Sequence, residues 1–199
     1  MTVTDVRPMD KRRSKVYLDE SFAFALYQGE LEQFGIEVGK ELEEELYEHI
    51  LTQLLPRRAR ECALYYLKTR DRTEAEVRGK LRENAYPPSV CDDVLLFLKE
   101  YHYVDDEAFA LRYVLSHQER KSQKKLYFDL LAKGIAESLL LSVLDEHPCD
   151  EEAQIQSWLE KKHLTVANMD RNERQKAMQA LARKGYSWDR ILRIFRCNT

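Results

Sequence analysis

The sequence contains few glycines, prolines and cysteines. Its 199 residues include six Gly, five Pro and four Cys. Because Gly and Pro form the tight turns between short strands, their scarcity argues against a β-sandwich and favours long helices. The four Cys lie at least 29 residues apart and form no CxxC pair, which is typical of reduced thiols in a cytosolic protein.

Long hydrophobic runs are also missing. No apolar run follows the basic residues 11–13 of the N-terminus, so the sequence predicts neither a signal peptide nor a membrane anchor. We therefore expect a cytoplasmic protein without membrane contact. Hydrophobic residues still make up 44% of the chain, which is enough to bury a core.

Motifs for catalysis and cofactor binding are absent as well. The six glycines are isolated, so neither a phosphate-binding GxxxxGK[ST] nor a dinucleotide-binding GxGxxG occurs. The five histidines show no HExxH or other metal-like spacing, and no Cys lies in a recognisable nucleophile motif. We predict a protein that is not an enzyme and that binds no cofactor and no metal.

Charge is plentiful but unevenly distributed. The formal net charge is only −3, yet residues 19–56 contain ten acids and one base, a net charge of −9. Residues 57–82 carry +5, residues 112–133 carry +4 and residues 161–196 carry +7. Basic blocks that alternate with acidic intervals indicate a repeated unit.

Three sets of landmarks support such a repeat. Pairs of an aromatic and an aliphatic residue recur at steps of 47 and 45 residues, and a small residue before an aromatic or aliphatic one recurs at steps of 49 and 51. An apolar pair follows each small residue by nine and ten positions. The landmarks are Tyr66-Leu67, Tyr113-Val114 and Trp158-Leu159; Ala85-Tyr86, Gly134-Ile135 and Gly185-Tyr186; and Val94-Leu95, Val143-Leu144 and Ile194-Phe195. Their agreement predicts three tandem repeats.

Apolar periodicity and capping residues predict three helices in each repeat. The predicted helices are 57–69, 74–84 and 88–101; 106–117, 123–133 and 137–146; and 151–163, 171–184 and 188–196. Thr73 with Glu76, and Ser89 with Asp92, have capping-box spacing, and Asp105 and Ser187 are suitable N-caps. Gly134 and Gly185 suit the left-handed residue that ends a helix. In the first repeat either Asn84 adopts that conformation or Ala85 does so under strain.

The N-terminal part has a different pattern. Residues 1–14 are expected to be a flexible tail, and alternating apolar residues from Lys15 to Tyr27 predict a β-hairpin around Asp19-Glu20-Ser21. The hairpin should pack on an acidic helix that begins near Glu41 and ends at Pro56. The predicted divisions are thus 1–14, 15–56, 57–103, 104–148 and 149–199, in a mostly α-helical fold.

The second helices of the repeats combine an apolar side with a cationic edge. In the first of them Val77 and Leu81 face inward, while Arg78 and Arg82 form a neighbouring row. One cationic edge alone indicates solubility, but its recurrence in three repeats makes a binding surface equally plausible. The partner could be a phosphate backbone or an acidic protein groove. Aromatic residues in helical register are interpreted as core, namely Tyr65, Tyr66, Tyr113, Trp158 and Tyr186.

Several sequence runs resemble the RecX family of regulatory proteins. The longest spans residues 63–77 (ALYYLKTRDRTEAEV) and is followed by Lys80-Leu81. The runs YVDDEAFA at 103–110, LLAKGI at 130–135 and LARKGY at 181–186 resemble later signatures of the same family. The resemblance covers about residues 57–197, and the N-terminal hairpin and acidic helix resemble the extension of longer family members.

The resemblance implies an elongated curved solenoid of three-helix units that binds the filament of the RecA recombinase on single-stranded DNA. Such a regulator most often inhibits the ATPase, strand-exchange and co-protease activities of RecA in recombination, DNA repair and the SOS response. We expect it to act as a monomer and to contact DNA either directly or through RecA. The candidate contact residues carried over from the family are Arg70, Arg72, Arg78, Lys80, Lys124, Lys125, Lys133, Arg183 and Lys184.

Two features depart from the family pattern. Ser122-Gln123 stands where a glycine commonly precedes the basic pair of the second repeat, and Ala85 replaces the glycine of the first. The alternatives to a filament regulator are a DNA-binding helical protein, such as a transcription factor, and an acidic-headed adaptor. A DNA binder would depend strongly on salt and would not need RecA.

Overall fold

The computed structural model describes residues 1–197, which form a small N-terminal sheet followed by helices. The chain divides into two compact units, one from Met1 to Asp105 and one from Asp106 onward. In the described residues no helix is long and apolar enough to cross a bilayer. The predicted mostly helical class with a small N-terminal sheet element is confirmed.

The sheet of the first unit contains strands β1 (Val3–Pro8), β2 (Arg13–Leu18) and β3 (Ser21–Tyr27), antiparallel and in that order. Strands β2 and β3 are the predicted hairpin. Alternate residues of these strands are buried, so one face of the sheet meets the core. The prediction of a flexible tail over residues 1–14 is wrong, because β1 pairs with β2 and buries Val3 almost completely.

Strand β1 also holds the hairpin turn. Asp19 and Glu20 both have positive φ, at 45° and 67°, a conformation that glycine would adopt more easily. The N–H of Thr2 donates to Asp19 Oδ1 at 3.0 Å, and the N–H of Glu20 donates to Thr4 Oγ1 at 3.0 Å. Contacts from Thr2 and Thr4, at the start of β1, therefore stabilise a turn that contains no glycine.

The prediction that Pro56 ends the acidic helix is wrong. After the short helix α1 (Gln28–Gln33), helix α2 (Glu44–His49) continues through a π-helical turn (Ile50–Leu54) into α3 (Leu55–Leu67). In the π turn the N–H of Leu55 donates to the carbonyl of Ile50. Pro56 lies in the first turn of α3, where its missing N–H costs little, and the wider turn before it lets the chain remain helical.

The acidic N-terminal part shares one hydrophobic core with the first repeat, which consists of α3, α4 (Glu74–Glu83) and α5 (Pro88–Glu100). Arg58 of α3 binds the carboxylate of Glu30 through both terminal nitrogens, and its guanidinium lies 4.9 Å above the Tyr27 ring. Burial alone would raise the pKa of Glu30, but hydrogen bonds from Arg58 and from the Tyr27 N–H lower it. The N-terminal part is thus anchored to the first repeat by hydrophobic packing and by an ion pair.

The described part of the second unit contains six α-helices in two groups of three. The first group is α6 (Asp106–His117), α7 (Gln123–Leu131) and α8 (Glu137–Glu146), and the second is α9 (Glu151–Lys161), α10 (Arg171–Arg183) and α11 (Trp188–Cys197). Each group encloses its own hydrophobic cluster. Together with α3 to α5 they are the nine predicted helices, and every end lies within two residues of its prediction.

The second helix of each repeat begins and ends in the same way. Its N-cap side chain is Thr73, Ser122 or Asp170, and each accepts a backbone N–H three residues on. The left-handed residue after its C-terminus is Ala85, Gly134 or Gly185, with φ of 59°, 80° and 95°. Ala85 therefore adopts the strained conformation, and Asn84 does not replace it. Ser89 is not an N-cap, because α5 begins at Pro88 with Pro87 as its cap.

Candidate functional site

Two candidate contact residues of the first repeat, Arg70 and Arg72, lie in the turn between α3 and α4. Arg70 is exposed, and in residues 1–197 its side chain makes no ion pair. The guanidinium of Arg72 packs 4.1 Å above the Tyr66 ring, and its Nε is buried without a hydrogen-bond partner among the described residues. Arg70 is therefore available to a partner, whereas Arg72 is committed to packing.

The other two candidates of the first repeat are neutralised within the chain. Arg78 binds Glu74 at 3.0 Å and also binds Asp92, so α4 and α5 are joined through its guanidinium. Glu74 in turn binds Lys99 of α5. The hydrogen bonds that Arg78 donates to Asp92 and Glu74 raise the pKa of its guanidinium. Lys80 pairs with Glu83 at 3.2 Å and faces the Tyr66 ring from 6.0 Å.

In the second repeat a single carboxylate neutralises two lysines. Asp129 binds Lys121 at 2.9 Å and Lys125 at 2.7 Å. Partial burial opposes its ionisation, but hydrogen bonds and charge from the two lysines prevail and lower the pKa of Asp129 to about 2. Lys133 faces the Phe109 ring at 5.3 Å. Lys124 is exposed and makes no ion pair within residues 1–197.

The candidates of the third repeat, Arg183 and Lys184, lie at the C-terminus of α10 and are exposed. The carbonyl of Lys184 accepts a hydrogen bond from the Ser122 hydroxyl at 2.8 Å, which joins the end of α10 to the start of α7. A Cβ added to Gly185 would lie 2.6 Å from Ser122 Oγ and 3.7 Å from Lys124 Cβ. The structure thus brings Lys124 and Lys184 together at the boundary between the second and third repeats.

Buried polar groups hold that boundary. Gln154 is buried, and its Nε2 donates to the carbonyls of Gln118 and Lys121, while its Oε1 accepts from the Tyr186 hydroxyl at 2.8 Å. Glu151 is also buried and accepts the N–H of Gln123 at 2.9 Å. Buried polar groups cost free energy unless they are satisfied, so these bonds restrict how the third repeat can pack on the second.

The aromatic landmarks belong to the core, as predicted, with one exception. Tyr66, Tyr113 and Trp158 are half-buried against the three hydrophobic clusters, and Tyr186 is buried. The prediction for Tyr65 is wrong, because 74% of this residue is exposed. Helical register placed it on the inner side, but α3 packs with the neighbouring residues Ala59 and Ala63 instead.

A cation packs on the landmark aromatic in two of the repeats. Arg72, which precedes the N-cap of α4, lies over Tyr66, and Lys121, which precedes the N-cap of α7, lies 4.9 Å from the Tyr113 ring centre. In the third repeat Met169 precedes the N-cap of α10 and is buried in the hydrophobic cluster. Arg72 was predicted to bind a partner, whereas it and Lys121 pack on the ring beside the turn between two helices.

Three residues of the third repeat were missed by sequence reasoning: Trp188, Arg171 and Arg174. Trp188 begins α11 and lies at helical spacing from Ile191 and Phe195, which are both buried. The structure leaves 51% of it exposed, beside a groove lined by both arginines. The only sequence signal for this region was the high positive charge of residues 161–196.

No group of three or more His, Cys, Asp or Glu side chains in the described residues could hold a metal ion. Burial raises the pKa of the thiols of Cys62, Cys91 and Cys149. A thiol with a raised pKa stays protonated near neutral pH and is a poor nucleophile. These three side chains are therefore suited to packing.

Models of known protein families match two parts of the chain. The model described as the first three-helix domain of RecX matches residues 59–98. The model described as the third three-helix domain of RecX matches residues 150–195. The first segment contains most of α3, all of α4 and most of α5. The second contains α9, α10 and most of α11.

Curated proteins named Regulatory protein RecX are similar over nearly the whole chain. The protein from Bacillus velezensis is 31% identical, and the alignment covers 96% of this chain and 74% of the relative. The protein from Geobacillus kaustophilus is 30% identical, with 97% and 76% covered. The protein from Clostridium acetobutylicum is 26% identical, with 96% and 92% covered.

Solved structures are similar as well. A crystal structure of regulatory protein RecX superimposes with a TM-score of 0.62 at 26% sequence identity, and the match covers 98% of both chains. RecX from Lactobacillus salivarius superimposes with a TM-score of 0.60 at 24% identity and covers 71% of this chain. The N-terminal sheet is thus included in the first of these matches.

Proposed function

Because this chain belongs to the RecX family of regulatory proteins, we propose that it regulates the RecA recombinase by binding the RecA filament on single-stranded DNA. In this role it lowers the ATPase, strand-exchange and co-protease activities of the filament. It would act as a monomer in the cytoplasm, in recombination, DNA repair and the SOS response.

One observation carries this proposal: each repeat presents an exposed cation that has no acidic partner within residues 1–197. These cations are Arg70 in the first repeat, Lys124 in the second and Arg183 in the third. A charge that is not neutralised inside the chain attracts phosphates or carboxylates of a partner. Three such positions on successive repeats suit a partner that is itself repetitive, such as a filament.

The nine candidate residues separate into two groups on this basis. We assign partner contact to the exposed cations Arg70, Lys124, Arg183 and Lys184. The remaining candidates pair with acids or pack on rings of the chain, and they are Arg72, Arg78, Lys80, Lys125 and Lys133. Substitution of the second group should change stability more than regulation.

The test adds the purified protein at a substoichiometric ratio to the cognate RecA on single-stranded DNA. ATP hydrolysis and strand exchange are followed, and filament binding is measured by co-sedimentation. We expect both activities to fall and the protein to sediment with the filaments. If neither activity changes and the protein stays in the supernatant, the proposal is wrong.

A matched pair of triple variants tests the surface. Arg70→Glu, Lys124→Glu and Arg183→Glu together should raise the concentration for half-inhibition at least about tenfold, because each reversal replaces attraction by repulsion. The control combines Lys11→Glu, Arg12→Glu and Lys40→Glu, three exposed cations of the N-terminal part with the same change in charge. Equal losses in both variants would show that net charge matters and this surface does not.

A further inference from the structure

Two open grooves of the second unit meet at Trp188. The first, of about 680 Å³, lies beside α10 and is lined by Arg171, Arg174, Gln175, Met178, Gln179 and Trp188. The second, of about 500 Å³, lies at the boundary of the second and third repeats, and its lining includes Gln123, Lys124, Arg190 and Trp188. One exposed indole therefore borders both grooves.

The exposure of Trp188 distinguishes it from the other tryptophan of the chain. Trp158 packs against the hydrophobic cluster of the third repeat, whereas 51% of Trp188 is exposed at the first position of α11. Tryptophan offers a large and rigid aromatic face, which is costly to leave in water and effective in stacking. An exposed tryptophan in a groove is thus a candidate anchor for a planar or apolar group of a ligand.

The grooves are positively charged. The lining of the first contains two arginines and no acid among the described residues, and Arg174 is fixed by its Nη2, which donates to the Val166 carbonyl at 2.9 Å. In the second groove the carboxylate of Glu151 is buried and already binds Arg190 and the N–H of Gln123. Lys124 adds a cation without a partner within residues 1–197. The ligand should therefore carry negative charges at intervals.

The amide side chains favour nucleic acid over an acidic protein segment. Gln175 and Gln179 lie one turn apart on the exposed side of α10, and both line the first groove. A glutamine offers donors and an acceptor together, which matches the edges of bases, whereas carboxylates would use its donors alone. Stacking on an aromatic ring beside cations for phosphates is the usual arrangement for single strands.

We propose that these two grooves form a direct binding site for single-stranded nucleic acid. A base stacks on Trp188, and flanking phosphates bind Arg171 and Arg174 on one side and Lys124 on the other. For its role on the filament this inference rests on the proposed function, because the site would let the third repeat hold the strand that RecA covers. Binding itself requires no RecA.

The experiment measures tryptophan fluorescence without RecA. Trp158→Phe leaves Trp188 as the single tryptophan, whose indole is excited selectively over the tyrosines, and oligo(dT) of about 16 nucleotides is titrated at low salt. We expect stacking to quench the emission, and three phosphate contacts to give a slope of about −2 for log affinity against log salt. Trp188→Phe, which leaves only Trp158, should show no quenching and should bind more weakly by filter retention.

Two double variants compare charge reversal inside the grooves with the same charge reversal outside them. Arg171→Glu with Arg174→Glu should lower the affinity for oligo(dT) at least about tenfold, because both phosphate contacts become repulsive. Lys161→Glu with Lys162→Glu makes the same change in charge at exposed positions that line neither groove, and it should change the affinity less than about threefold. Circular dichroism of each variant checks that the helices remain.

Three results would overturn the inference. They are no quenching of Trp188 at low salt, equal losses of oligo(dT) affinity in the two double variants, or quenching by poly-glutamate equal to that by oligo(dT). The last would identify the grooves as a site for an acidic protein segment. The RecA assay separates this inference from the proposed function. A Trp188→Ala variant that loses oligo(dT) but still inhibits RecA leaves the regulation intact, whereas oligo(dT) binding without any effect on RecA contradicts the regulation alone.

Discussion

The first and third repeats contain similar numbers of cations but use them differently. In the first repeat Arg78 lies between Glu74 and Asp92, and Glu74 also binds Lys99. In the third repeat Arg171, Lys176 and Arg183 are exposed without an ion pair in the part of the chain that the structure describes. Neutralised cations hold helices together, and only unpaired cations remain for a partner. The count of charges along a sequence does not distinguish the two.

The second repeat is intermediate between them. Asp129 neutralises Lys121 and Lys125, while Lys124 stays exposed beside them on α7. Three repeats with the same helix arrangement thus differ in how many of their cations are neutralised by acids of the chain. The difference depends on a few acids that lie opposite the cations, and it can be altered by single substitutions.

The largest effect is expected at the helix end of the third repeat. Gly185→Ala places a Cβ 2.6 Å from Ser122 Oγ, at a φ of 95°. We expect a loss of about 3 kcal/mol in the free energy of unfolding, from left-handed strain and from the broken hydrogen bond between Ser122 and Lys184. Urea unfolding measures it. A loss below about 1 kcal/mol would mean that the boundary between the second and third repeats adjusts easily.

The next largest effect is expected from a variant in which cations of the first repeat lose their acidic partners, as in the third repeat. Glu74→Gln with Asp92→Asn removes the acids that pair with Arg78 and Lys99, which should cost about 1 to 2 kcal/mol of stability and free both cations. Binding to RecA filaments at low salt should then become tighter by about threefold. The control is Glu44→Gln with Glu45→Gln, which removes the same charge from two exposed acids of α2 that pair with no cation among the described residues, and it should leave binding nearly unchanged. Unchanged binding in the first variant would contradict a role for unpaired charge.

A smaller effect concerns the dependence of stability on pH. The pKa of Asp129 is about 2 in the folded protein and about 3.9 in an unfolded chain, so its ion pairs stabilise the fold above about pH 4. This stabilisation, at most about 1 kcal/mol, is lost as the pH falls through 2. Urea unfolding of wild type and Asp129→Asn should differ at pH 7 and converge near pH 2. A constant difference between them would contradict this.

The smallest effect is expected at the helix end of the first repeat. Ala85→Gly relieves the left-handed strain at φ 59°, worth about 1 kcal/mol, but it removes a buried methyl group of similar value. The free energy of unfolding should change by less than about 0.5 kcal/mol. The same urea assay compares it with Gly185→Ala, and equal and large losses in both would show that strain does not explain the difference.

The helices could be predicted from the sequence because the residues that specify a helix lie within a few positions of one another. Apolar residues at helical spacing and N-cap residues such as Thr73 determine where a helix starts and which side it buries. The same reasoning failed where neighbours in space decide. Strand β1 forms because β2 offers its open edge, and Pro56 is tolerated because the preceding turn widens to a π helix.

The candidate site shows the same division. Family-like motifs indicated the basic residues, but whether Arg78 or Lys124 is available depends on acids of other helices. Trp188 lies at helical spacing from the buried Ile191 and Phe195 of α11 and is nevertheless exposed. Those two residues belong to the hydrophobic cluster of the third repeat, and Trp188 does not. Helical periodicity specifies a side of the helix, whereas the depth of burial depends on where the neighbouring helices end.

By itself the sequence determined the repeat, the positions of nine helices and the distribution of charge, because these depend on residues close together in the chain. Only the tertiary structure decided which cations are neutralised, which aromatic rings are exposed and how the N-terminal strands join the first core. Those properties depend on distances between residues that the chain separates by tens of positions. Ion pairing and burial fall off within a few ångströms, so they are properties of the folded arrangement.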